Sequence, residues 1–295
     1  MHVDEAKHRS RIALMDGADD TLPLDGVRVL SLALNVPGPV AARRLAQLGA
    51  AVSKIEPPAG DPLAQYCPEW YAELHLGLSV RTLDLRSDAD IARLHGELGE
   101  TDLLLTSHRT RSLARVGLDW IALHRRHPRL CHVAIVGHSG DDADVAGHDL
   151  TYLANVGLLT PPDVPRTLVA DLGGAERAVV EATVALLARE RTGEATYREV
   201  SLGAVAESFA APLRYGVTAP AGILGGTLPA YGLYRAMDGW IALAALEPRF
   251  SARLAETFSL PALERPALEA IFSARSVNEW EDWARERDIP LAAVR

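Results

Sequence analysis

The sequence predicts an α/β protein: a large domain with an open, mostly parallel sheet wrapped by helices, followed by a smaller α+β domain. Two observations carry this expectation. Between residues 23 and 202, short β-branched runs alternate with stretches of helical apolar spacing, the pattern of βαβ units. Beyond residue 203 the alternation stops, and a hairpin signal and two helical stretches follow. The chain of 295 residues is long enough to bury a sizeable core in one or two domains.

Residues 1–22 are mostly polar and are expected to form an N-terminal arm. Residues 27–32 form the first β-type run. Pro37-Gly38-Pro39 breaks it, and residues 40–48 then take helical spacing that Gly49 ends. Residues 50–56 are the second strand, closed by Pro57-Pro58; a strand, helix and strand this close together require parallel pairing. The pattern repeats with strands at 82–85, 102–106 and 131–136 and helices at 89–98 and 120–126. Residues 176–191 carry an Ala/Val/Leu-rich helical face ended by Thr192-Gly193, and 197–202 are one more strand. Residues 203–230 are expected to be a helix and a linker. The small domain, 231–295, opens with strands at 231–234 and 240–244 around Met237-Asp238-Gly239. Helices at 249–258 and 276–286 and a strand at 289–294 complete it.

Composition excludes several classes. A net charge of −9 argues against general nucleic-acid binding, which needs surplus Lys and Arg to neutralise phosphates. Cys67 and Cys131 stand far apart without ligand spacing, so neither a disulfide framework nor a metal site is expected. No apolar run reaches the length of a membrane span, and the first twenty residues lack a signal-peptide core. A cytoplasmic protein without a membrane partner is expected. Walker-type and Gly-x-Gly-x-x-Gly phosphate loops are absent, against a nucleotide hydrolase or a dinucleotide dehydrogenase.

Two segments carry candidate chemistry. Gly147-His148-Asp149-Leu150-Thr151-Tyr152 places a histidine in a predicted loop, and Leu168-Val169-Ala170-Asp171-Leu172-Gly173-Gly174 places an aspartate before a helix. Histidine and aspartate are suited to moving a proton near neutral pH. Asp171 also fits a helix N-cap. Gly173 and Gly174 cost helix stability and so point to close approach of backbone or ligand; N–H groups at such a helix end can stabilise an oxygen gaining negative charge. His138 in Gly137-His138-Ser139-Gly140 is a rival histidine, but no nucleophile elbow forms because residue 141 is Asp. His124, His127 and His132 lack companions at ligand spacing and are expected on a solvated helix end. Arg109, Arg111, Arg115, Arg125, Arg126 and Arg129, against the single acid Asp119, make a local basic stretch that suits either a polyphosphorylated ligand or a solvated helix face.

Further motifs carry a family resemblance. Leu24-x-Gly26-Val27-Arg28-Val29-Leu30, Gly38-Pro39, Leu45-Ala46-Gln47-Leu48-Gly49-Ala50, Lys54-Ile55-Glu56 and Gly60-Asp61-Pro62 resemble the opening of family III (CaiB/BaiF) CoA-transferases, the superfamily that includes α-methylacyl-CoA racemases. Thr82-Leu83-Asp84-Leu85, Arg115-Val116-Gly117-Leu118 and Tyr234-x-x-x-Asp238-Gly239 continue it. Gly147-His148-Asp149, Val169-Ala170-Asp171-Leu172-Gly173-Gly174 and Ala245-Leu246-Glu247-Pro248 resemble the racemase branch.

The resemblance implies the family III fold, an acyl-CoA substrate and a homodimer of interlocked subunits, with no cofactor beyond the CoA of the substrate. In its racemase form, His148 and Asp171 exchange a proton on opposite faces of the acyl α-carbon, and Asp149 is a candidate to orient His148. In its transferase form, Asp171 is a nucleophile that becomes an aspartyl-CoA thioester. A repurposed or non-catalytic relative is the third possibility. Arg43, Arg44, Lys54 and Arg109 are implied contacts for the phosphates and adenine end of CoA, and Gly173 and Gly174 for the thioester. Two departures stand out. The family's basic run before residue 82 is replaced by His75-Leu76-Gly77-Leu78-Ser79-Val80, and the chain stops at Arg295, where a segment returning to the large domain is expected.

Overall fold

The computed structural model describes residues 21–143 and 145–295, so nearly all of the arm expected at 1–22 lies outside the described residues. The chain forms two compact units that divide between Ser208 and Phe209, inside the stretch expected to be a helix and linker.

The first unit runs β1 (Arg28–Ser31), α1 (Pro37–Gln47), β2 (Ala51–Glu56), α2 (Pro62–Tyr66), α3 (Pro68–Leu74), β3 (Ser79–Thr82), α4 (Asp88–Leu98), β4 (Leu103–Thr106), α5 (Thr110–Arg115), α6 (Trp120–Arg126), β5 (Cys131–Val136), α7 (Asp149–Asn155), α8 (Val169–Thr192), β6 (Tyr197–Ser201) and α9 (Leu202–Phe209). Its six strands form one sheet in the order β3-β2-β1-β4-β5-β6, and every pairing is parallel. Consecutive strands depart from β1 in one direction and from β4 in the other. A crevice therefore opens at the carboxyl ends of β1 and β4, the usual ligand position in such sheets.

Alternation along the strands supplies both faces of the core. Val29, Leu103, Leu105, Val133 and Ile135 pack with α1 and α8, while Leu30 and Leu104 pack with Leu94, Leu98, Leu113 and Leu123 of α4, α5 and α6. On α8, Ala170, Gly174, Ala178, Ala182 and Ala185 are all buried. This small-residue stripe lets the helix backbone lie close to α1, β5 and β6.

Some expectations are corrected. The third strand is Ser79–Thr82, not 82–85, because pairing with Ser53–Glu56 of β2 sets its register at the sheet edge. Helix α8 begins at Val169 rather than 176, so both glycines lie inside it. His132 is not on a solvated helix end: it sits on β5, 1% exposed, with Nε2 2.9 Å from Thr106 Oγ1. Burial pushes its pKa down to about 4, so the ring is neutral core.

The second unit comprises α10 (Ala211–Arg214), β7 (Tyr231–Arg235), β8 (Trp240–Ala244), α11 (Pro248–Thr257), α12 (Arg265–Phe272), α13 (Val277–Glu286) and β9 (Leu291–Ala293). The strands form an antiparallel β7-β8-β9 sheet, as the hairpin signal predicts, and α12 is an addition to the expected helices. Tyr234, Phe258, Phe272, Trp280 and Trp283 stack as its core. No helix among the described residues is long and apolar enough to cross a membrane.

Candidate active site

A cavity of about 250 Å³ occupies the crevice at the carboxyl ends of β1, β4 and β5. Its walls come from the loop after β1 (Leu34, Asn35), the loop after β4 (Ser107, His108, Arg109), Gly137 at the end of β5, and Gly147, His148, Tyr152, Asp171 and Leu202. The first two loops are tied together: the Leu34 N–H donates to Ser107 Oγ at 2.8 Å. Asn35 takes a left-handed conformation, with φ at 64°, and its N–H donates to Asp61 Oδ1 at 3.0 Å. A non-glycine residue held in this region stores strain that neighbouring contacts must offset.

His148 and Asp171 thus line the same cavity from separate elements. His148 lies in a loop, as expected, and is its last residue, in the capping position of α7; its N–H donates to Thr151 Oγ1 at 3.0 Å and its carbonyl accepts the Thr151 hydroxyl at 2.8 Å. Asp171 lies three residues into α8; Leu168 stands in the capping position, which corrects the N-cap expectation for Asp171.

Asp149 does the capping instead. Buried at 5% exposure, its Oδ1 accepts the backbone N–H groups of Ala170 at 2.7 Å and Asp171 at 3.1 Å. Asp149 was the candidate to orient His148; its carboxylate is turned to the α8 terminus. These bonds also remove two N–H groups that the sequence offered to a substrate oxygen. Gly174 has a packing reason, since an added Cβ would collide with Leu202 Cδ2, and Gly173 lies beside it within the helix.

Burial, and after it the Asp149 charge, push Asp171 up to about 6. Its place in the first turn of α8 favours the carboxylate and opposes that rise. A carboxyl poised there is largely ionised at neutral pH, yet a stronger base than an ordinary aspartate. Tyr152, raised mainly by burial and also by Asp171, packs into Gly137 and Gly147. A Cβ at Gly137 would lie 2.6 Å from the Tyr152 hydroxyl, and one at Gly147 would lie 2.5 Å from its Cε1.

Residues 24–295 match the family model for CoA-transferase family III. The chain belongs to this family. It is 35% identical over 173 residues to cinnamoyl-CoA:phenyllactate CoA-transferase of Clostridium sporogenes, covering 52% of this chain and 42% of that protein. Human α-methylacyl-CoA racemase is 29% identical over 90% of this chain and 71% of its own length. Succinyl-CoA–D-citramalate CoA-transferase of Chloroflexus aurantiacus is 29% identical over 88% and 70%. The crystal structure of Rv3272 from Mycobacterium tuberculosis shares the fold with a TM-score of 0.81 at 24% identity, covering 93% of this chain and 86% of that one. A CaiB/BaiF family protein from Brucella suis gives 0.78 at 22% identity, covering 93% and 84%.

The cations that the family III resemblance assigns to CoA are differently placed. Lys54 is fully buried: Nζ lies 2.5 Å from Asp61 Oδ2, 2.9 Å from Glu56 Oε1 and 2.9 Å from His75 Nε2. It is ion-paired inside the protein and offers no exposed charge, unlike the phosphate contact that the sequence expectation makes of it. Arg43 donates to the Leu76 carbonyl at 2.6 Å, and exposed Arg44 pairs with Glu176 at 2.9 Å. Arg109 is exposed and lines the cavity, the one member of the four that the structure brings to His148 and Asp171. Asn35, His108 and Tyr152 went unassigned in the sequence; only the assembled sheet shows that the loops after β1 and β4 share a wall. Among the described residues, no group of three or more His, Cys, Asp or Glu side chains is arranged to hold a metal ion.

Proposed function

We propose that this protein inverts the α-carbon of an acyl-CoA thioester by two-base proton transfer. The carrying observation is that His148 and Asp171 project into one cavity from the starts of two different helices. One takes the α-proton, the C–H electron pair moves into the carbon–carbon bond, and the carbonyl π pair moves onto oxygen as an enolate. The other returns a proton to the opposite face. Asp171, poised near neutrality by burial, suits either direction. Arg109 supplies positive charge beside the same cavity for the phosphates of CoA. A relative with a racemase name supports this reading.

A second reading keeps Asp171 as nucleophile and moves CoA between carboxylic acids. It is favoured by the same raised basicity, and by relatives named as CoA-transferases. Incubating 2-methylacyl-CoA thioesters in D2O separates the two. Deuterium uptake at the α-carbon without an acceptor acid, lost in both His148→Ala and Asp171→Ala, is expected. CoA exchange that requires an acceptor acid and survives His148→Ala sinks the racemase reading.

A further inference from the structure

A fully buried ammonium must place each of its protons on an acceptor. Lys54 has two carboxylates, Asp61 Oδ2 at 2.5 Å and Glu56 Oε1 at 2.9 Å, and its third partner is His75 Nε2 at 2.9 Å. The other ring nitrogen of His75, Nδ1, lies 2.6 Å from the Tyr71 carbonyl. A carbonyl only accepts, so Nδ1 carries the proton of the neutral ring and Nε2 offers its lone pair to Lys54. The ring is 9% exposed and lies against that of Tyr71, with centroids 4.0 Å apart. Burial first, and also the Lys54 charge, lower its pKa against the Tyr71 carbonyl, Glu56 and Asp61, which raise it. His75 is therefore a neutral acceptor at neutral pH. The Tyr71 hydroxyl donates to Glu56 Oε1 at 2.8 Å, so each polar group in the cluster fixes the next.

The cluster reaches the cavity through Asp61. While Oδ2 faces Lys54, Oδ1 accepts the N–H groups of Asn35 at 3.0 Å and Leu63 at 2.9 Å. The first of these bonds holds Asn35 at a φ of 64°, a conformation seldom occupied by a non-glycine residue without such a tie. Asn35 lines the cavity of His148 and Asp171. We infer that His75 is a positioning residue. By accepting the third proton of Lys54 it fixes Lys54 against Asp61, and Asp61 in turn keeps Asn35 in the shape that the cavity wall requires. His75 touches no reacting atom in this role. Its effect on turnover rests on the proton-transfer reading above; its effect on Asn35 does not.

The test compares His75→Phe, which keeps a planar ring without the acceptor, with His75→Gln, which offers a carboxamide oxygen at about the reach of Nε2. The chain has only three asparagines, so 15N-asparagine labelling resolves the Asn35 backbone amide by NMR. α-Deuterium exchange is read on isobutyryl-CoA. In His75→Phe the Asn35 amide signal should move, and kcat should fall on the order of 10-fold with KM little changed. In His75→Gln both should return toward wild type. An Asn35 signal that stays in place in a folded His75→Phe overturns the proposal, as does an unchanged kcat. If both variants misfold, 15N-histidine NMR of the wild-type protein decides. A proton on Nδ1 of His75 is expected, and a proton on Nε2 overturns the assignment. Absence of any wild-type exchange, with the Asn35 shift as expected, defeats the proton-transfer reading instead and leaves the positioning role standing.

Discussion

Asp149 Oδ1 holds the backbone N–H of Asp171 at 3.1 Å, so the residue after His148 fixes the start of the helix that carries Asp171. One carboxylate does two things: it satisfies two N–H groups at the α8 terminus, and its charge helps raise Asp171. The two proposed proton-transfer groups are therefore linked through a third residue that need not touch substrate.

Replacing that carboxylate has separable effects. Asp149→Asn can keep an acceptor oxygen for the α8 terminus but loses the charge, so the pKa of Asp171 should fall, by less than burial alone raises it. The acid limb of the pH profile for α-proton exchange should move to lower pH. Asp149→Ala also strands two N–H groups and should cost about 1 to 3 kcal/mol in denaturant unfolding. An unmoved acid limb in Asp149→Asn would contradict the linkage.

Asp171 itself should weaken the fold at neutral pH. A carboxyl raised by folding binds its proton more tightly in the native state, so stability falls as pH rises from the unfolded value of 3.8 through about 6. Asp171→Asn should abolish exchange yet stabilise the protein by up to about 3 kcal/mol at pH 7, with the gain fading by pH 4. Unfolding curves at the two pH values check the sign.

Lys54 provides a contrast between a binding and a structural cation. Lys54→Met leaves Glu56 and Asp61 buried without their counter-charge and should cost about 3 to 5 kcal/mol. Burial raises Glu56, but hydrogen bonds from Lys54 and Tyr71 outweigh it and hold the group below its usual value. Its contribution is thus present above pH 4.5 and lost as pH falls through the depressed value. In Lys54→Met that acid sensitivity should diminish. A variant of wild-type stability that merely binds CoA less well would restore Lys54 as a phosphate ligand.

Gly174→Ala forces Leu202 to rotate, because the new methyl would overlap the far end of that side chain. Leu202 lines the cavity, so activity should suffer more than the roughly 1 kcal/mol expected in stability. Adding Leu202→Ala should restore helix packing, and a double-mutant cycle on stability should show coupling above about 0.5 kcal/mol.

Much of the frame was legible because β4 and β5 are mostly apolar runs, glycine and proline punctuate the chain around β1 and β2, and the hairpin at Met237-Asp238-Gly239 has its own turn chemistry. The start of α8 was not, since Gly173 and Gly174 read as helix breakers until Leu202 and Asp149 are seen beside them. His148 and Asp171 stood out as residue types and by family resemblance. Lys54 misled because its partners Asp61 and His75 arrive from later segments, which spacing does not reveal. His108 was hidden among arginines, and only the parallel order of β1 and β4 brings it to the cavity that Asp171 lines.

The Tyr152 ring forms part of the cavity wall, presses on Gly137 and Gly147, and stands edge-on to His138 with centroids 5.2 Å apart. A family lineage can change one of these positions only by changing the others. Relatives in which a side chain replaces either glycine are expected to carry a smaller residue in place of Tyr152, so that the four sites drift together as one inherited unit.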